Sequence, residues 1–359
     1  MSKPRKQHFV PQFYLRNFSS DRNQIGICSY NHIAGQFYND VPIKSQAYKK
    51  YIYGEDGLIE KDLSGFEAKV ATLFANPITK INPPSTREDF DLLRQFVLIQ
   101  HSRTAKAGAE VLEGLNTAFD SLRPYIKEFQ KIPDGGKFSH EYPSLLSLHN
   151  AIEHSYLMSH LEVKSIVNLS QLPFITSDNP ITTYNMWMEQ LGSYDGATGL
   201  AVKGIQIFVP ICPRLTYCFY DPYIYDFGDP NKGTVATESE ADVHQLNALQ
   251  YLFSDTQLFF DDKTLSEYIK DLVHKANPYR VSERSYSRIF KKRNKSGPET
   301  LIQLNSFRDP KIELQLPFIR LTEAGQHQKL INGFPEVRHP SFNERIENAR
   351  QRRDAKSPE

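Results

Sequence analysis

The residues best equipped for chemistry lie in short, separated stretches. Glu60 and Glu67 stand seven apart beside an apolar run at helical spacing, so both carboxylates fall on one side of a helix. Such a pair could hold a divalent cation or share acid and base roles, or could simply flank a surface helix. In a second run, Leu93, Phe96, Gln100, Arg103 and Ala107 step by 3, 4, 3 and 4 and share one face. That stripe starts apolar and ends in an amide and a guanidinium. Either the helix leaves the core there, or a carboxylate, phosphate or several carbonyls offset the desolvation of Arg103. Ser177, Asp178 and Asn179 end a β-rich run and precede Pro180. Proline stops strand pairing, which leaves three polar side chains at a strand end, although the same letters also write an Asx turn.

His8 sits in aromatic text and is either a packed core residue or a proton carrier in the physiological range. Asn247 and Gln250 border an apolar helical stripe and could complete a polar pocket or satisfy backbone groups. His149, Glu153 and His160 share a helical face, but two turns of rise, about 10 Å, are too much for both imidazoles to bind one ion. The segment Arg284 to Lys295 interleaves basic residues with Tyr286 and Phe290. It reads as a nucleic-acid contact or, more commonly, as a solvated edge. Walker, Rossmann, HExxH and G-x-S-x-G motifs are absent, and the Ser-Asp-Asn of serine β-lactamases lacks its Ser-x-x-Lys partner.

The elements that must position these groups follow from periodicity. A hairpin is expected over 24–41 and a helix over 57–75. A second helix starts at an N-cap on Thr86 and runs to about 115, and a third covers 144–161. Short β-branched and aromatic runs then predict a small, mainly antiparallel sheet, followed by a helix over 238–253 with Thr237 and Glu240 as a capping box. This order predicts an α+β fold with one core, a main domain over 1–290 and a charged, partly flexible extension over 291–359. The 359 residues carry 43 basic and 42 acidic side chains, which argues against a generic polyanion binder. Cys28, Cys212 and Cys218 form no metal or redox spacing, and no run is long enough to span a membrane. With no signal-peptide pattern at the N-terminus, a cytoplasmic protein with reduced, buried thiols is expected.

Taken in order, several stretches resemble the family catalogued as domain of unknown function 4238. They are H-F-V-P-Q-F-Y-L-R-N-F, I-E-K-D-L…F-E, Q-H-S-R-T, P-F-I-T-S-D-N-P and H-Q-L-N-A-L-Q, together covering about residues 7–260. The resemblance implies that His8, Glu60, Glu67, Gln100, Arg103, Ser177, Asp178, Asn179 and Asn247 form the family's polar signature. It supplies no reaction. Family members commonly carry proline after the Arg-Thr pair, whereas this chain has Ala105, so the helix is expected to continue further here.

The expectation is that these segments meet in one polar pocket and hydrolyse a phosphodiester with a divalent ion, Mg²⁺ or Mn²⁺. In that reading Glu60, Glu67 and Asp178 hold the metal, and His8 is the acid or base. Arg103 and Gln100 bind phosphate, while Ser177, Asn179 and Asn247 orient the substrate. Nucleic acid is then the partner, in a toxin or phage-defence role. Two rivals are a non-catalytic protein that binds an anionic ligand, a nucleic acid or a protein partner, and a purely structural role in which the carboxylates neutralise Arg103.

Overall fold

A computed structural model describes residues 6–75, 81–132, 137–193, 196–292, 300–330 and 336–342. Strand β1 (Lys6–His8) is followed by the short helix α1 (Gln12–Arg16), with Pro11 at its N-cap. Strands β2 (Gly26–Asn31) and β3 (Gln36–Pro42) make the hairpin expected at 24–41. Strand β4 (Tyr48–Lys50) returns antiparallel to β1 and sets His8 opposite Tyr48. Helix α2 (Leu58–Phe74) buries Leu63, Val70 and Phe74, as its steps of 3 and 4 require.

Helix α3 (Arg87–Ser102) starts where predicted, with the Thr86 hydroxyl accepting the Asp89 N–H. It does not run on to 115. Arg103 is its C-cap, and the Thr104 side chain accepts the Ala107 N–H to open a new helix, α4 (Ala105–Leu122). The expected continuation through Ala105 is thus overturned by a local cap. Ala105 occupies the first helical position, the place where proline is also tolerated, so the family's proline and this alanine suit the same break. Helices α5 (Lys127–Gln130) and α6 (Pro143–Glu153) follow. The third predicted helix therefore ends early, and His160, with φ of 67°, lies beyond it.

The sheet region contains β5 (Glu162–Asn168), β6 (Thr176–Ser177), β7 (Thr182–Tyr184), helix α7 (Met186–Gln190), β8 (Gln206–Cys212), β9 (Leu215–Tyr220), β10 (Tyr225–Phe227) and β11 (Thr234–Thr237). Helix α8 (Glu240–Phe253) is capped by Ser239, which accepts the Asp242 N–H, rather than by Thr237, whose hydroxyl instead meets the Asp242 carboxylate at 2.6 Å. Strand β12 (Gln257–Phe260), helix α9 (Ser266–Ala276), strands β13 (Ser285–Lys292), β14 (Thr300–Phe307) and β15 (Ile319–Leu321), and helix α10 (Glu323–His327) complete the described chain.

The fold is α+β. Five strands in the order β11-β5-β9-β8-β7 form the main sheet, antiparallel except for the β11–β5 pair. Four more in the order β3-β2-β12-β6 form a second sheet. Both faces of the main sheet are covered. Ile207, Val209, Ile211, Tyr217 and Phe219 pack with α2, α3 and α6, while the alternate residues Phe208, Cys218 and Tyr220 pack with α8 and α9. Hydrophobic side chains on both faces explain why these strands read as nearly continuous apolar runs. The three cysteines are free and buried. The boundary proposed at residue 291 falls inside β13, and β15 pairs with β10, so the segment beyond 291 contributes strands to the same body. Among the described residues no helix is long and apolar enough to cross a membrane.

Candidate functional site: an acid–arginine–histidine rim

The site starts with β1, whose central side chain points inward. Gln7 is fully buried: its Nε2 donates to the Gly54 carbonyl at 2.9 Å and its Oε1 accepts the Tyr53 N–H at 2.8 Å. That pairing ties β1 to the turn before α2 and fixes the Tyr53 ring, whose hydroxyl donates to the Arg103 carbonyl at 2.9 Å. Sequence reasoning overlooked Gln7 and Tyr53. The only signal was a polar residue alternating with His8 in a short strand.

Arg103 is 2% exposed. Its Nη2 donates to the His8 carbonyl at 2.8 Å and meets the Glu67 Oε1 at 2.7 Å, while its Nε donates to the Phe9 carbonyl at 3.2 Å. Gln100, one turn earlier, donates to the same Phe9 carbonyl at 2.9 Å. The guanidinium is therefore engaged by the protein's own backbone and one carboxylate. A buried cation held this way is stabilised, and these N–H groups are not available for a bidentate grip on phosphate.

Glu67 is 24% exposed, so the ion pair reaches the surface on one side. Glu60, two turns earlier on α2, shares that face. Partial burial pushes its carboxyl up to about 7, with repulsion from Glu67 adding and the Arg103 charge opposing. His8 completes the rim. Its Nε2 lies 3.2 Å from the Lys44 carbonyl, which can only accept, so Nε2 carries hydrogen and Nδ1 holds the lone pair of the neutral ring. Burial lowers the His8 pKa below its ordinary 6.5, despite the Lys44 bond and the nearby Glu67. The rim thus pairs a carboxyl that keeps its proton near neutrality with an imidazole that gives its proton up.

The remaining signature residues lie further inward and are engaged by hydrogen bonds of their own. The Thr104 hydroxyl donates to Asn179 Oδ1 at 2.8 Å, and Asn179 Nδ2 donates to the Phe253 carbonyl at 2.9 Å. Ser177 donates to Gln250 Oε1 at 3.1 Å, and Gln250 Nε2 donates to the Pro180 carbonyl at 2.8 Å. Asn247 brackets the incoming strand, accepting the Ile175 N–H at 3.0 Å and donating to the Pro173 carbonyl at 3.0 Å. These side chains are buried, and the contacts satisfy backbone groups where strand β6 ends against helix α8.

Asp178 is also placed apart from the acid pair. Its carboxylate accepts the N–H groups of Asp255, Thr256 and Gln257 at 2.8, 2.8 and 3.0 Å, and the Thr256 hydroxyl at 2.9 Å. Burial raises its pKa, the Asp255 charge adds, and the Thr256 and Asp255 donors pull it back. The side chain borders a hollow of about 360 Å³ shared with Phe9, Tyr48 and Lys49, but its oxygens are spent on the loop before β12. The structure thus sets His8 and Glu60 each near the Arg103–Glu67 pair, places Gln100 on the Phe9 carbonyl that Arg103 also uses, bonds Asn179 to the neighbouring Thr104, and uses Asp178 as a loop anchor. Among the described residues, no three His, Cys, Asp or Glu side chains are grouped to hold a metal ion. Glu60 and Glu67 fit at most as two carboxylates facing a hydrated cation.

The other candidates fall elsewhere. His149 pairs with Glu153 at 3.5 Å on an exposed face, and His160 stacks on His339 with ring centroids 4.0 Å apart. In the basic segment, Arg284 meets Glu110 at 2.8 Å and Asp309 at 3.2 Å. Arg288, Phe290 and Lys291 are exposed on β13, while 293–295 lie outside the described residues.

The model of a family described as "Protein of unknown function (DUF4238)" matches residues 6–264. That span takes in the whole rim and the buried hydrogen-bonded side chains behind it. No curated protein and no solved structure matches the chain.

Proposed function

The chain belongs to the DUF4238 family, whose description carries no activity, and we propose that it hydrolyses phosphodiesters by general acid–base catalysis at the rim of Glu60, Glu67 and His8. The observation that carries this reading is Glu60: a half-buried carboxyl pushed up to about 7 near the Arg103–Glu67 pair, which His8 also feels. Two titratable groups whose surroundings move them in opposite directions are suited to opposite proton-transfer roles. His8 Nδ1 accepts the proton of the attacking hydroxyl or water. Glu60 donates its proton to the leaving oxygen as the P–O bond breaks. Arg103 pairs with Glu67 and holds β1 through the His8 and Phe9 carbonyls, and so is a positioning residue. A hydrated Mg²⁺ or Mn²⁺ on the Glu67 side of the rim would supply charge neutralisation at the phosphate. Arg288 and Lys291, exposed with Phe290 on β13, are the side chains offered to a nucleic-acid strand.

The test incubates the full chain with labelled RNA and DNA, with and without Mg²⁺ or Mn²⁺, beside Glu60→Gln and His8→Gln. Cleavage is expected from the native chain and about a hundredfold or more slower in each variant. Cleavage at the native rate in both variants overturns the assignment.

A second reading has one specific observation behind it. Most other signature residues are spent on the protein's own backbone. In that reading the family signature holds the fold, and the chain binds an anionic ligand without turning it over. Nucleic-acid retention without cleavage in the same assay favours it.

A further inference from the structure

A second polar cavity lies away from the rim, where the C-terminal end of α2 meets α1 and the turn between β8 and β9. It encloses about 490 Å³ and is lined by Phe13, Arg16, Asn17, Phe74, Arg214 and Asp261, among others. That size falls within the range of small-molecule pockets and is far larger than a simple anion needs. Arg16, on the last turn of α1, makes no ion pair or side-chain hydrogen bond among the described residues. Arg214 spends one nitrogen, Nη1, on the Ser170 carbonyl. Two guanidiniums thus face one cavity against a single carboxylate, Asp261.

Two further atoms at this site have no partner among the described residues: the Asn17 Nδ2 donor and the Asp261 Oδ1 acceptor, both buried. Buried polar atoms of this kind are uncommon and call for a hydrogen-bonding partner. Phe13 and Phe74, 6.2 Å apart between ring centroids, supply an apolar wall. The lining therefore offers positive charge for an anion, an apolar wall of two rings tilted by 47°, and a carboxylate with one oxygen unpartnered among the described residues.

We propose that this cavity binds a mononucleotide, with its phosphate between Arg16 and Arg214, its base against Phe13 and Phe74, and an N–H on the base edge donating to Asp261. The cavity is distinct from the rim. Because mononucleotides contain no phosphodiester, their binding here stands or falls independently of the hydrolase reading.

Calorimetric titration of the full chain with AMP, GMP, ribose 5-phosphate and inorganic phosphate tests the assignment. A purine nucleotide is expected to bind about tenfold tighter than ribose 5-phosphate, and Arg16→Ala to weaken nucleotide binding by about tenfold or more. Arg16 is exposed, so its removal leaves the fold intact, as circular dichroism can verify. Asp261→Asn is expected to narrow the gap between nucleotide and ribose 5-phosphate. Failure of all four probes to bind at millimolar concentration overturns the proposal. So does unchanged nucleotide affinity in both Arg16→Ala and Arg214→Ala, or equal affinity for inorganic phosphate and nucleotide.

Discussion

Glu60 and Asp178 are both carboxyls pushed upward by burial, yet they have opposite surroundings and should answer to substitution differently. Asp178 has four donors on its oxygens and organises the loop 255–257. Asp178→Asn replaces an acceptor by an amino group facing N–H donors, and should cost about 2–3 kcal/mol in urea unfolding. Unchanged stability would contradict the anchor role. Glu60 has no such cradle among the described residues. With its folded pKa near 7 and an ordinary value of 4.5, it binds a proton in the fold that the unfolded chain has already lost. Its contribution is complete below about 4.5 and declines as pH rises to about 7. Thermal unfolding from pH 4.5 to 8 should therefore show a falling component that Glu60→Gln removes. Identical pH profiles for the two proteins would contradict the assignment. If the hydrolase reading holds, the rate should be bell-shaped in pH, rising as His8 deprotonates below 6.5 and falling as Glu60 loses its proton near 7.

The break between α3 and α4 is the element that makes the site possible. It turns the chain at Arg103–Thr104, so one residue reaches back to β1 and the next reaches forward to Asn179. The new helix then crosses α6 very closely. A Cβ added at Gly108 would lie 2.6 Å from the Ser144 backbone nitrogen, so Gly108→Ala should force the helices apart and cost about 1–3 kcal/mol, measurable as a lower unfolding midpoint. A variant as stable as the native chain would mean that the crossing is looser than described. Helix α2 and the Thr86 cap were legible in the sequence because spacing and a hydroxyl before acidic residues are local signals. The break at 103–104 was not. Ala105, Lys106 and Ala107 are good helix formers, and a threonine hydroxyl decides the boundary only when its Asn179 partner is near. The polar residues at element ends marked places where elements meet, as Arg103 does with β1 and Asn179 with Thr104. What each does there was not legible, because spacing cannot tell a carboxylate that faces solvent from one consumed by backbone N–H groups brought in from 77 residues away, as Asp178 and Asp255 are.

At the scale of the molecule, the main sheet is covered on both faces, and the C-terminal segment helps close one of them. Leu314, Leu316 and Ile319 are buried in the same cluster as α8 and α9. Leu316→Ala should therefore cost about 2–5 kcal/mol in global unfolding rather than loosen a separate tail. Loss of less than about 0.5 kcal/mol, the scale of a surface substitution, would contradict its place in the core. The near-balance of charge, 43 basic to 42 acidic residues, gives the molecule no strong overall field of either sign.

Acid–base chemistry at the rim requires one group there to keep a proton at neutral pH while another has lost it. Carbon-detected NMR titration of the glutamate carboxyls and of the His8 ring in the native chain, with Glu60→Gln to assign the signal, measures this without assuming a substrate. Glu60 should titrate at about 7 and His8 below 6.5. A Glu60 midpoint at the ordinary 4.5, with His8 charged at neutral pH, would contradict the acid–base site.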